Sequence, residues 1–373
     1  MRAAPVMKLW GAALAALLAA LLLAVPAGAA SRKQIQAAAF DVPMPAAPIR
    51  DLVIEHAGPP VARSNDRLYR NPVNDGAGRS VEITVSATCV TLCPPADRDP
   101  QTIANFLGTV AHGDEMNLLT VNLVFETEIA SPPPFGCGSA AAQACYFPSQ
   151  NRMVINGTNT TASDGATRDF VIAHEYGHHL ANHRINPPFD SPAVDWGPKR
   201  WASYERVCEG VAAGTLFPGN EGSRYFQNPG EAFAEAFAFA RFPTAPVAWH
   251  WIESLRPDAN SLAAARGDAL EPWTGPGTVK RQGRFAKRKR PKRKAKNFGT
   301  ALDGDLTLRL NGKAGADLAL ILRGSNGREL EQSDGVGSKE AVSYRICGEG
   351  SISATVRRQI RQRTRFFLSA QIP

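Results

Sequence analysis

The chain has 373 residues, 44% hydrophobic and 20% charged, and carries a net charge of +8. Eleven Lys or Arg lie between Lys280 and Lys296 with no acid among them, and taking these eleven from +8 leaves −3 for everything else. The excess of positive charge is therefore local, which argues against a uniformly basic, specific nucleic-acid binder.

At the N-terminus, Arg2 and Lys8 precede an uncharged Ala/Leu-rich stretch from Leu9 to about Val25, and Ala27-Gly28-Ala29 gives a small-residue cleavage pattern. Residues 1–30 are expected to be a signal peptide that directs a secreted protein, the runner-up being an uncleaved membrane anchor. No later segment is apolar enough for a membrane helix, so no span is expected after signal cleavage. Residues 31–78, rich in Pro and Ala, read as an extended or propeptide-like segment, with order starting near Arg79.

From there the pattern predicts a strand over 81–86, a helix from Pro100 to about His112, a strand from Leu118 to Phe125 and a short edge strand at about 152–156. Thr167 then opens a segment free of Pro and Gly through Ala173, leading into His174-Glu175-Tyr176-Gly177-His178. On a helix, side chains four apart share a face, so both imidazoles can reach one ion while Glu175 lies beside it. Chance supplies such a pentapeptide in a chain of this length about one time in a hundred.

A catalytic zinc takes three protein ligands and keeps a fourth position for water. Ala181 and Arg184 stand where the long metzincin motif needs Gly and His, and His183 is one residue out of step. His179 turns off the ligand face. Two carboxylate pairs at four-residue spacing compete for the third place, Glu205 with Glu209 and Glu231 with Glu235, with Asp195 as a further rival. Arg200 and Arg206 give the first pair ordinary ion-pair partners on a solvated face. Glu231 and Glu235 sit in an Ala- and Phe-rich helix from Asn228 to Phe239, where a buried carboxylate needs a cation.

Lys280–Lys296 cannot collapse by itself and is expected as a basic linker, residues 279–297, with affinity for a polyanionic envelope polymer. Beyond it, residues 298–373 show alternating runs at 306–310, 317–322, 341–347, 352–356 and 366–370, the pattern of a small β-sandwich. Six cysteines in an exported chain can pair fully. Cys89/Cys93 and Cys137/Cys145 are local couples that could each close a small loop, and a link between Cys208 and Cys347 would tie the helical region to the C-terminus; the connectivity itself is not readable from sequence, and Cys89/Cys93 is also a conceivable metal pair.

The H-E-x-G-H and E-x-F-A-E-A-F segments together resemble the gluzincin-type zincin metallopeptidases related to anthrax toxin lethal factor. That resemblance implies an α+β zincin-like catalytic domain over residues 79–278 followed by a small all-β sandwich domain. It further implies His174, His178 and Glu231 as ligands of Zn2+, Glu235 as an outer support and Tyr225 as an oxyanion donor, one residue off the family spacing. The implied activity is hydrolysis of protein or peptide substrates with Glu175 as general base. Residues 316–322 and 344–348 resemble pre-peptidase C-terminal domains of secreted bacterial proteases. The alternative expectation is an envelope- or polyanion-binding surface protein with an inactive zincin domain.

Overall fold

The structure is a computed structural model that describes Lys33 and residues 51–54, 67–69, 72–74, 80–87, 99–157, 161–287 and 293–373. The expected signal peptide and the Cys89/Cys93 couple lie outside the described residues.

Fifteen strands and seven helices are described. The first seven strands are β1 (Arg67–Tyr69), β2 (Pro72–Asn74), β3 (Ser80–Glu82), β4 (Thr84–Ala87), β5 (Thr120–Val124), β6 (Ala144–Phe147) and β7 (Arg152–Asn156). Among them run α1 (Pro100–Leu107) and α2 (Glu126–Ile129). A five-stranded sheet has the order β1-β4-β5-β7-β6, with β4, β5 and β7 parallel and β1 and β6 antiparallel at the two edges; β2 and β3 form a separate two-stranded ribbon.

Two expectations are corrected here. Order begins before Arg79, because β1 and β2 are already paired; strands of three residues are too short to show an alternating pattern in sequence. The strand at 152–156 is internal, and the edge belongs to β6, whose four residues are all buried and so show no alternation.

Helix α3 (Arg168–Asn182) packs on this sheet, and its start is fixed by the Thr167 side chain, which accepts from the Phe170 amide. Then come α4 (Lys199–Tyr204), α5 (Val207–Ala212), α6 (Pro229–Arg241) and α7 (Ala259–Leu270). Asn228 caps α6 by accepting from the Gly230 amide at 3.1 Å, and Pro229 stands at its first position, where no amide hydrogen is needed. One core joins Val85, Val121, Leu123, Met153 and Ile155 of the sheet to Phe170, Ile172 and Tyr176 of α3 and Phe233 and Phe237 of α6.

Eight strands make the rest: β8 (Gly277–Phe285), β9 (Arg293–Gly299), β10 (Gly304–Gly312), β11 (Leu318–Gly324), β12 (Glu329–Ser333), β13 (Lys339–Ile346), β14 (Ser351–Arg358) and β15 (Thr364–Ile372). They form two four-stranded sheets, β13-β10-β15-β8 and β12-β11-β14-β9, around a shared core of Leu306, Leu308, Leu310, Leu318, Leu320, Leu322, Phe366 and Leu368. The molecule is thus a mixed α/β domain followed by a β-sandwich.

The basic linker is the third correction. Its residues supply β8 and β9, one edge strand for each sheet, paired over nine positions with β15 and seven with β14. Lys280, Arg281, Arg284 and Arg293 are exposed, Lys294 and Lys296 are half-buried on the face of Phe298, and only Phe285 and Phe298 are fully buried, so apolar alternation is nearly absent. Rows of cations suit edge strands, since they deter pairing with other chains.

The disulfides Cys137–Cys145 and Cys208–Cys347 are both present. The second joins α5 to the end of β13, next to a hydrogen bond from the Asp303 amide to the Ser203 hydroxyl at 2.9 Å. Two such bonds fit an oxidising compartment. Among the described residues, no helix is long and apolar enough to cross a membrane.

Candidate metal centre

Helix α3 brings His174, Glu175 and His178 into the interior with none of their surface exposed. The two Nε2 atoms stand 3.2 Å apart. His174 Nδ1 lies 2.8 Å from Glu235 Oε2, which places the proton on Nδ1 and leaves the Nε2 lone pair directed into the cluster. Trp251 stacks on His174 and Tyr146 on His178, with ring centroids 6.0 and 6.4 Å apart, so aromatic walls fix both imidazoles.

Helix α6 supplies the carboxylates, and a glycine sets how close it comes. A Cβ at Gly177 would lie 2.7 Å from the Ala234 Cα, so the middle of the His-Glu-Tyr-Gly-His segment meets α6 backbone to backbone. Ala234, equally small, allows the same approach from the α6 side. At that separation Glu231 places Oε2 3.5 Å from His174 Nε2 and Oε1 3.5 Å from His178 Nε2.

Asp51, absent from the expected set, completes the group. Its Oδ2 is 2.9 Å from His178 Nε2 and its Oδ1 is 3.4 Å from His174 Nε2. Tyr225, fully buried, donates its hydroxyl hydrogen to Asp51 Oδ1 at 2.9 Å and accepts from the Asp51 amide at 3.3 Å. Sequence reasoning passed over Asp51 because it lies in a Pro/Ala-rich stretch without clear periodicity, more than a hundred positions from the helix it meets. The faint signal was the apolar run Leu52-Val53-Ile54 after it, a strand-like tripeptide in an otherwise patternless region.

One ligand atom each from Asp51, His174, His178 and Glu231 lies within 4.8 Å of the others, and all four residues are buried. With Glu175 and Glu235, four carboxyl groups and two imidazoles lie buried together. Neither oxygen of Glu231 or Glu175 meets a hydrogen-bond donor. A buried anion without a donor costs several kcal/mol, and a divalent cation relieves that cost, so the donor set fits a metal ion.

The electrostatics have the same origin. Burial, then the charges of Asp51 and Glu231, hold the Glu175 carboxyl well above its usual range. Glu231 is pushed up by burial, Asp51 and Glu221. Burial would also raise Asp51, but the His178 and His174 imidazoles outweigh it and hold the group low.

The rival ligands stand elsewhere. Glu209 pairs with Arg206, and Asp195 is outside the group. Glu205 is not on a solvated face as expected: it is 1% exposed and pairs with Lys33 Nζ at 2.8 Å, a partner far away in sequence. His179 lies between the Tyr146 hydroxyl, 3.1 Å from Nδ1, and the Glu115 carbonyl, 2.9 Å from Nε2, and burial lowers its pKa to about 4. His183 sits at the end of α3 with Nε2 2.8 Å from Asn151 Oδ1.

No known family profile and no curated protein matches this sequence. Among solved structures, the chain is similar to a pre-peptidase C-terminal domain of a Bacillus anthracis collagenase at 12% identity, covering 26% of this chain and 89% of that one, with a TM-score of 0.22. A Yersinia pseudotuberculosis-derived mitogen matches at 16% identity over 26% of this chain and 87% of its own, with a TM-score of 0.22. A periplasmic inhibitor of g-type lysozyme from Aeromonas hydrophila matches at 11% identity over 26% of this chain and 89% of its own, with a TM-score of 0.21.

Proposed function

We propose that the protein is a secreted, zinc-dependent metalloendopeptidase with a gluzincin-type centre. The observation that carries this reading is the convergence of His174, His178 and Glu231 on one point, with Glu235 behind His174 and an unpartnered Glu175 beside them. Zinc suits two imidazoles and a carboxylate, and when bound it polarises a carbonyl and lowers the pKa of a water towards neutrality.

The chain's own residues divide the remaining work. His174, His178 and Glu231 hold the ion, and Glu235 orients His174 through Nδ1. Glu175 takes a proton from the attacking water and returns it to the departing amine. The Tyr225 hydroxyl is a donor at the edge of the cluster, suited to an oxyanion on the substrate. The outer side of β6, which Val53 pairs with in this structure, is where an extended peptide would add by main-chain pairing beside His178.

The sandwich is read as a pre-peptidase C-terminal-like domain that serves secretion, folding or attachment. The cations of β8 and β9 offer that attachment a polyanionic envelope polymer. The second reading, a surface-binding protein whose metal domain is inactive, is favoured by Asp51, because four protein donors make a closed set.

The test is hydrolysis of casein by purified protein, with and without a chelator and with zinc restored, against Glu175→Gln. Loss of about 100- to 10,000-fold in the variant at unchanged zinc content is expected. Measurable hydrolysis that is equal in wild type and variant ends the enzyme reading.

A further inference from the structure

Residues 51–54 do more than bring one carboxylate to the cluster. The Ile54 amide donates to the Tyr146 carbonyl at 2.8 Å, and the Tyr146 amide donates to the Leu52 carbonyl at 3.1 Å. Val53 thus forms a parallel bridge to Tyr146, so the segment extends the five-stranded sheet beyond its β6 edge. The Val53 amide donates to Glu221 Oε2 at 3.3 Å, and Asp51 is held through Tyr225 at both its amide and its carboxylate. Further upstream, the Lys33 amide donates to the Tyr204 carbonyl and its ammonium bridges Glu205 and the Arg256 carbonyl.

These contacts occupy every feature that the proposed hydrolysis needs free. The β6 edge is paired, the Tyr225 hydroxyl is spent on Asp51, both imidazole Nε2 atoms face the Asp51 carboxylate, and Glu175 is sealed from solvent. The other three donors lie on α3 and α6, which brace each other through Gly177 and Ala234. Asp51 alone comes from a short strap that contributes no side chain to the main core and whose Leu52 and Ile54 pack only on a small side cluster.

Resting on the metallopeptidase reading, we infer that residues 51–54 are a latency strap: Asp51 takes the metal position that substrate chemistry requires, and Leu52–Ile54 take the sheet edge that a substrate would pair with. A tethered carboxylate acts at an effective concentration of the order of millimolar or above, so it outcompetes weak ligands without being a permanent one. Strand β1 is part of the sheet, so the displaceable piece ends before Arg67.

The full chain loaded with cobalt(II) tests this without relying on turnover. Acetohydroxamate, a small bidentate metal ligand, is titrated into wild type, Asp51→Ala and Asp51→Asn, and binding is followed by the visible spectrum. Asn keeps an oxygen for the Tyr225 hydroxyl, which guards against a folding defect in the Ala variant. Both variants are expected to retain one equivalent of metal and to bind the probe at least about tenfold more tightly than wild type. Equal affinity in all three proteins overturns the strap, and so does loss of metal from both variants, which would make Asp51 a resident ligand. Tighter probe binding together with no casein hydrolysis by either variant upholds the strap and overturns the peptidase.

Discussion

The two domains bury polar groups in opposite ways. In the sandwich, the buried charges lie at the margins and each keeps hydrogen-bond partners: Glu340 accepts from the Ser333 hydroxyl and the Gly335 amide, Arg358 donates to the carbonyls of Ala286 and Gln362, and Asp303 Oδ1 accepts from the Gly348 amide, although Asp303 Oδ2 and Arg358 Nε meet none among the described residues. Its interior is Leu, Ile, Val, Phe and Ala throughout. The α/β domain places Asp51, His174, Glu175, His178, Glu231 and Glu235 at its centre, and leaves the oxygens of two of them without donors. A domain that stores such a cost in its middle is arranged for a ligand, whereas one that keeps its charges at the margins of an apolar core is arranged for stability.

The sharpest way to break this contrast is Glu231→Gln. Removing one anionic donor from the set should weaken metal binding by about a thousandfold, or about 4 kcal/mol. In chelator the sign reverses. Glu231 is held above its usual range by burial and by Asp51 and Glu221, so at pH 8, where the unfolded chain carries it ionised, the acid opposes folding of the metal-free protein, and the neutral amide should stabilise it by about 1–2 kcal/mol. Melting curves with zinc and with chelator should therefore cross between wild type and variant. If the variant is less stable in both, the cluster is an ordinary structural network.

The converse change belongs to the sandwich. Leu320, fully buried in β11, loses about 3 kcal/mol of packing when cut to Ala, since nothing nearby collapses freely into the gap. Calorimetry should show the loss, while zinc content stays at the wild-type value. A parallel fall in zinc would mean that the Cys208–Cys347 link makes the two domains one cooperative unit.

How much of this was readable depended on whether a signal was local. The spacing of His174 and His178, the desolvated acids of α6 and the strand pattern of β10, β11, β13, β14 and β15 are all properties of one helix or one strand, and each stands in the sequence. Strands β8 and β9 escaped because the face that carries Phe285 holds only Val279 besides Gly and Arg, and the face that carries Phe298 holds Lys294 and Lys296, so period-two hydrophobicity has little to register. Asp51 and Lys33 escaped for a different reason. Each acts on a residue more than a hundred positions away, and a charge in a Pro/Ala-rich stretch has no periodicity to betray its partner. Gly177 lies between: it is visible in the motif, but its meaning as the contact with Ala234 needs the second helix in place.

The Lys33 anchor gives the smallest effect and the most specific sign. Glu205 is raised to about 7 by burial, and Lys33 pulls it back down. Its ordinary value is 4.5, so the folded protein binds the extra proton between about pH 4.5 and 7. The stability that Glu205 contributes is thus fully present below about 4.5 and is lost as pH rises through about 7. Lys33→Ala removes the charge that limits this loss, moving the folded value higher still and extending the decline above neutrality. The variant should lie within about 0.5 kcal/mol of wild type at pH 5 and about 1–2 kcal/mol below it at pH 8.5, where a buried carboxylate would have to ionise without its cation. Denaturant unfolding at the two pH values measures this directly, and Glu205→Gln in both backgrounds should flatten the slope. A Lys33→Ala deficit that stays constant with pH would assign the anchor to the Arg256 carbonyl and the Tyr204 backbone contact, and leave Glu205 protonated in the native protein throughout.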